Sequence, residues 1–343
     1  MATSRLDKLR KRRMDPLQKV AGVNEIYDRM QSEDQAIQYA LGAMQPIDPG
    51  YTARTIEQRD RVENQLKSGL GQNGLVVGFD YQGSITNDTH IRFYSDVDLL
   101  TVAGNFSFVE PPNTPTVPYS GNPIEEMKAI RKSAVTTLTS AFPKAVVDES
   151  GQKAVKISGG SLTREVDVIV CGWWQTTEYV AYQKKIWLGI EVLHLADGKL
   201  IPNKPFLHNH EISVRDSNCN GSVRKLIRLL KSLKYDSDEM IDFSSYDIAG
   251  VVHSMFDSLL KVPSGHDLKL LKNCQAYLQY LRSDANYRAS IEIPNKMRKV
   301  FCAEGAKEAG LKQLGTALDQ LVAEIETAMT RTLRKIDDTS IKY

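Results

Sequence analysis

Two aspartates separated by one apolar residue, Asp96-Val97-Asp98, lie in a β-rich run, and Gln82-Gly83-Ser84 stands upstream with eleven residues between Ser84 and Asp96. In a strand, side chains at i and i+2 leave the same face with Cα atoms about 7 Å apart, so both carboxylates can converge on one point. Two like charges about 4 Å apart repel by about 4 kcal/mol at an effective dielectric of about 20, which calls for a neutralising partner. A divalent cation meets that need. Carboxylate oxygens, with water and phosphates completing the shell, suit Mg²⁺ better than zinc. Alone, an acidic-x-acidic triplet is more simply a solvated strand edge.

Three further features give the triplet chemical meaning. Gly83 and Ser84 read as a turn where the missing Cβ allows close backbone approach and a hydroxyl can donate to a phosphate oxygen. Asp167 sits among apolar neighbours in Glu165-Val166-Asp167-Val168-Ile169-Val170, where a buried carboxylate needs a partner. Arg224, Arg228 and Lys231 follow one another at helical steps and form a basic stripe able to hold a triphosphate. Against these, Lys231 also reads as a surface lysine and Tyr246 as a core anchor. Gly159-Gly160-Ser161 reads as a hairpin turn, and His208, His210 and Cys219 lack a fourth ligand for zinc.

These residues need a sheet and helices to hold them. Residues 24–44 and 53–70 carry helical periodicity, and from Leu75 short β-rich runs take over: VVGFDY, VDLLTV, AVKIS and EVDVIVC. A Pro-rich loop, Val109–Pro123, precedes a helical pattern over Ile124–Ala141. After Pro205 the longer period dominates, over Ser222–Tyr235, Tyr246–Leu260, Asp267–Arg282 and Glu308–Arg334. The expected fold class is α+β, with N-terminal helices and a sheet lobe over residues 1–200, a helical lobe over 201–343, and the active site in the cleft between them.

The glycine-serine turn, the D-h-D strand and the third aspartate together resemble the polymerase-β-like nucleotidyltransferase core. More narrowly, QGSITNDTHIRFYSDVDLLTV is similar to the corresponding segment of the CD-NTase family, the bacterial cyclic-oligonucleotide synthases of CBASS anti-phage systems related to animal cyclic GMP-AMP synthase. Phe206-Leu207-His208-Asn209, Asn220-Gly221, VRKLIRLLKSLK and Phe243-Ser244-Ser245-Tyr246 extend the resemblance over roughly residues 75–260. It implies that Asp96, Asp98 and Asp167 are catalytic and hold two Mg²⁺ ions, with Mn²⁺ able to substitute. It implies that Gln82, Gly83, Ser84, Lys231 and Ser245 bind the donor triphosphate and that Tyr246 stacks on its base. The implied activity joins nucleoside triphosphates, ATP or GTP foremost, into a cyclic dinucleotide or trinucleotide. That product would act on a separate effector, with an accessory regulatory protein as a further partner. Two alternatives stay open: the same core modifying an RNA end or small molecule, and a nucleotide-sensing pseudoenzyme.

Composition narrows the field. Among 343 residues, 44 basic and 42 acidic side chains leave a formal charge of +2, which argues against constitutive binding of long DNA. Six of the basic residues fall within positions 5–13 and could touch a phosphate backbone, although a solvated helix start is the simpler reading. The most apolar stretch, Ile186–Ala196, is interrupted by Glu191 and His194 and is about half the ~20 residues a membrane span needs. Four dispersed cysteines and a charged N-terminus without an apolar run point to a reducing cytoplasm.

Overall fold

The computed structural model describes residues 3–13, 34–91, 97–301 and 306–340, with side chains from 307 to 331 in the last stretch. The chain divides into two compact units, one made of Asp48–Asp88 and Tyr94–Glu211, the other of Met1–Ile47, Thr89–Phe93 and Ile212–Tyr343.

The first unit is built on a mixed sheet of β1 (Val77–Gln82), β2 (Val97–Val109), β3 (Val146–Asp148), β4 (Ala154–Gly159), β5 (Leu162–Gln175), β6 (Leu188–His194) and β7 (Lys199–Asn203). The order is β1-β2-β5-β4-β3, and β6 joins the C-terminal half of β5 and carries β7. Among the described residues only β2 and β5 pair in parallel. Parallel neighbours need a long crossover, and α4 (Pro123–Ala141) lies within it. Asn122 caps α4 by accepting from the Ile124 and Glu125 amides, with Pro123 in the first turn. Buried Arg131 donates from Nη2 to the carbonyls of Glu149, Gly151 and Ala154, fixing α4 to the β3–β4 connection. With α3 (Pro49–Gln72), α4 covers one sheet face: Val62, Leu66, Ile130 and Leu138 pack on Leu99, Ala103, Val166 and Val168. The intervening residues face the other way, where Leu100, Val102, Ile169, Cys171, Ile190 and Val192 form a smaller cluster.

The second unit is helical: α1 (Arg5–Arg13), α2 (Gln35–Met44), α7 (Ser222–Asp236), α8 (Ser245–His253), α9 (Asp257–Leu260), α10 (Asp267–Ser283), α11 (Ala285–Ser290) and α12 (Ala306–Ser340). Of the remaining α-helices, α5 (Thr177–Tyr182) belongs to the first unit and α6 (Pro205–Asn218) has residues in both. Leu6, Leu9, Tyr39 and Met44 share a core with Leu226, Leu230, Leu278 and Leu318.

That packing corrects the expected boundary at residue 200. The N-terminal helices bury their apolar faces on the C-terminal helices rather than on the sheet, so two segments distant in sequence form one core. The helix expected over Tyr246–Leu260 is interrupted after His253. Arg215 donates to the carbonyls of His253 and Met255, taking over acceptors that a continuing helix would have used. The Gly159–Ser161 hairpin stands as expected between β4 and β5. Residues 24–33 of the first expected helix lie outside the described residues.

Candidate active site

Asp98 and Asp167 are register partners across the parallel β2–β5 ladder, and Gln82 of β1 is the partner of Asp98 on its other side. Their neighbours Leu99, Val166 and Val168 enter the helix-covered core, so alternation turns both carboxylates onto the opposite face. Adjacent strands lie about 4.8 Å apart, which places these two acids side by side. Asp96 lies outside the described residues, two positions before Asp98 on the chain.

The next strand supplies the partner that Asp167 needs. Lys156 of β4 is in register with Asp167, and its Nζ lies 3.4 Å from Asp167 Oδ1 and 2.8 Å from Glu165 Oε1. A lysine on the far side of the pair reduces its mutual repulsion while still leaving one edge for a ligand.

The glycine-serine turn closes on Asp98. Gly83 has φ +93°, and a Cβ there would lie 2.4 Å from Asp98 Oδ2, so only a residue without a side chain permits the approach. The turn is held locally by Thr86 Oγ1, which donates to Gly83 O at 2.7 Å. Asn209 of α6 donates to Thr86 Oγ1 at 2.8 Å and accepts from Asn87 at 3.2 Å. Reading single residues missed this clamp, although Asn209 belongs to a segment that carries the family resemblance. Lys156 gave no signal, because a lysine in a short strand looks like any exposed edge residue.

The candidates in the helical unit have structural duties there. Lys231 is buried and donates to Thr89 O at 2.8 Å, while Arg12 reaches Ile91 O at 3.3 Å, so both anchor the stretch just before residues 92–96. Arg228 donates to Met44 O at 2.8 Å, and Arg224 pairs with Asp216 at 2.7 Å and donates to Ser213 at 2.9 Å. Buried cations require such acceptors, and this stripe has found them inside its own unit. Ser244, rather than Ser245, caps α8 through a reciprocal box with Asp247. Ser245 is the first helical residue, and Tyr246 is half-buried against the apolar core.

The cationic N-terminal segment is likewise engaged. Arg5 pairs with Glu324, Lys8 with Asp238 and Arg12 with Asp236, and Arg13 donates to Gln45 O. These four thus tie α1 to neighbouring helices and helix ends of its own unit.

Asp98, Asp167 and Gln82 offer hard oxygen atoms, and Gln82 Oε1 is buried without a hydrogen-bond partner among the described residues. This donor set fits a hard divalent cation such as Mg²⁺. Among the described residues no three His, Cys, Asp or Glu side chains gather as a metal site, and the third acid of the expected trio is Asp96. Cys171, Cys219 and Cys274 are free and buried, and no described helix is long and apolar enough to cross a membrane.

A strand-borne pair of acids beside a glycine-serine turn, on a mixed sheet backed by helices, is the arrangement of a polymerase-β-like nucleotidyltransferase. Comparison with known proteins narrows it. The chain is 34% identical over 318 residues to the cyclic dinucleotide synthase CdnE of Yersinia aleksiciae, covering 92% of this chain and 83% of that one. It is 30% identical over 263 residues to a c-di-GMP synthase of a Lachnospiraceae bacterium, covering 67% and 73%. The fold matches a STING-associated CdnE c-di-GMP synthase from Capnocytophaga granulosa with a TM-score of 0.76 at 24% identity, over 94% of this chain and 98% of that one. No family model matches the chain. The chain belongs to the CD-NTase family of bacterial cyclic dinucleotide synthases, and it is a nucleotidyltransferase.

Proposed function

We propose that this enzyme joins two nucleoside triphosphates by successive phosphodiester bonds and releases a cyclic dinucleotide as an alarm signal in anti-phage defence. The observation that carries the site assignment is the in-register pair Asp98 and Asp167 with Gly83 packed against the first of them. The acceptor ribose hydroxyl attacks the donor α-phosphorus in line, and pyrophosphate leaves. Asp167 takes the hydroxyl proton, and Lys156 beside it holds that carboxylate in place. The Gly83-Ser84 turn and Gln82 bind the donor phosphates, and Lys231, Ser245 and Tyr246 contribute contacts to the nucleotide. Asp96, Asp98 and Asp167 would hold two Mg²⁺ ions. Such ions supply charge neutralisation on the phosphates and activation of the attacking oxygen. The reading places the enzyme in the cytoplasm, with a separate effector for its product.

Incubation with all four ribonucleoside triphosphates and Mg²⁺, followed by phosphatase treatment and mass spectrometry, tests this. The expected result is a phosphatase-resistant cyclic product without any added acceptor, lost in Asp98→Asn. A product that forms only when an RNA end or small hydroxylated compound is added would overturn it.

A further inference from the structure

Lys156 of β4 is the register partner of Asp167 on β5, and directly opposed residues of an antiparallel pair are each other's nearest neighbours. Its ammonium nonetheless turns along the strand. Nζ donates to Glu165 Oε1 at 2.8 Å, a charge-assisted hydrogen bond of ordinary length, whereas it stands 3.4 Å from Asp167 Oδ1, longer than such a bond. Glu165 and Asp167 are two residues apart on β5 and leave the same face, so one lysine serves both acids. The glutamate has one more methylene and reaches further toward that lysine. Exposure follows the same order: 14% of the Asp167 side chain, 32% of Glu165 and 41% of Lys156. The lysine–glutamate pair thus lies on the wetter side of the acid that belongs to the site.

We propose that Glu165 is a positioning residue for the metal-binding acids: by holding Lys156 it keeps the ammonium from bonding Asp167 outright, so that Asp167 stays available to a divalent cation. The inference rests on the nucleotidyltransferase reading above and adds a residue to its machinery. Two demands conflict at Asp167. Asp98 lies beside it on the neighbouring strand, and a positive charge nearby offsets the repulsion between the two carboxylates. Yet an ammonium at full hydrogen-bond distance competes with a divalent cation for the same oxygen atoms. Lysine is a compact charge on a flexible stem, so its position is set by whichever acceptor holds it. Glu165 holds it to one side, near enough to Asp167 to act through space and too far to occupy it.

The test uses Mn²⁺ alone as the probe, bound to the full chain and read by electron paramagnetic resonance without turnover. Glu165→Gln is expected to weaken Mn²⁺ binding about thirtyfold, because the released ammonium closes on Asp167. The Mg²⁺ concentration for half-maximal product formation should rise by a similar factor, with kcat at saturating Mg²⁺ falling far less. Lys156→Met removes the competitor, and in that background the loss from Glu165→Gln should shrink to about threefold or less. A negative charge acting only at a distance would give the same fold-loss in both backgrounds, and that result overturns the proposal. Unchanged Mn²⁺ affinity in Glu165→Gln overturns it as well. Lys156→Arg leaves Glu165 and the net charge in place, but its planar fork can bond both acids at once, so Mn²⁺ binding should weaken there too. If Glu165→Gln does not fold, Lys156→Arg carries the test, and Mn²⁺ affinity equal to wild type then sinks the idea. A wild type that binds no Mn²⁺ and forms product in the presence of a chelator is a different failure, and it removes the two-metal reading along with this one.

Discussion

The two units treat their charged side chains in opposite ways. In the helical unit, charges are consumed: Asp236 holds Arg12 and the Tyr39 hydroxyl, Asp216 holds Arg224, and fully buried Asp247 holds Arg298 while capping α8. In the sheet unit, the face away from the helices carries Asp98, Asp167 and Asp80, with Lys156 between Asp167 and Glu165 and Lys185 beside Asp80. The same residue types thus act as staples in one unit and as a surface prepared for a charged ligand in the other. If the proposed function is right, stability belongs to the first set and chemistry to the second, so substitutions should separate the two.

The sharpest separation comes from the acids themselves. Asp98→Asn or Asp167→Asn is expected to lower product formation on the order of 10³-fold, because each removes charge aimed at the reacting centre. Thermal denaturation should show no loss in Tm, since removing one of two adjacent negative charges relieves repulsion. A variant that lost both activity and several degrees of Tm would place that aspartate among the staples.

Gly83→Ala comes next. Its Cβ would meet Asp98 Oδ2 at 2.4 Å in a backbone conformation with φ +93°. Displacing a reacting group by even 1 Å can cost about 10²-fold in rate, and the left-handed conformation costs a non-glycine residue about 1–2 kcal/mol. Steady-state kinetics beside a denaturant titration should therefore show a large catalytic loss with a small loss of stability. Full activity would mean that Asp98 is free to move and that the turn does not position it.

How much of this the amino-acid chain revealed depended on whether a feature was local. The β-rich runs around Asp98 and Asp167, the turn glycine and the α4 pattern are local, and both aspartates stand in strands as expected, whereas Asp96 lies outside the described residues. The division of the chain was not local. Leu9 and Tyr39 carry no mark that says which of two cores they enter, and only the packed structure shows them with Leu230 and Leu318. The basic stripe of α7 was only half legible for a related reason. Helical spacing shows that Arg224, Arg228 and Lys231 share a side, but their acceptors, Asp216, Met44 O and Thr89 O, come from other parts of the chain.

The staples make the third prediction. Asp247→Ala removes the partner of Arg298 and half of the α8 capping box. Breaking such a pair leaves a partly buried cation uncompensated, and with the lost cap the expected destabilisation is about 2–3 kcal/mol. Burial raises the pKa of Asp247, but Ser244 and Arg298 outweigh it and hold the group below the ordinary 3.8. Its contribution is therefore present above that ordinary value and lost as pH falls through the lowered one. Urea midpoints of wild type and variant should differ at pH 7 and converge in strong acid.

The smallest effect probes a charge that fits neither class. Glu191 of β6 is in register with Gly172, on the face that carries Leu193 into the helix-covered core, and its Oε2 has no hydrogen-bond partner among the described residues. Burial alone pushes its pKa from 4.5 up to about 7. A carboxyl raised on folding favours the fold while protonated. Below 4.5 it is neutral in both states, and between 4.5 and about 7 unfolding releases a proton, so stability falls as pH rises through that window. Above it the whole penalty is present. Glu191→Gln, which keeps shape and removes charge, should be nearly neutral at pH 5 and stabilising at pH 8, on the order of 1 kcal/mol after solvent screening of a half-exposed group. Parallel pH–stability curves for the two proteins would mean that this carboxylate reaches water from the covered face. The contrast between a closed face and an open one would then need redrawing at β6, the strand that joins the main ladder only at its far end.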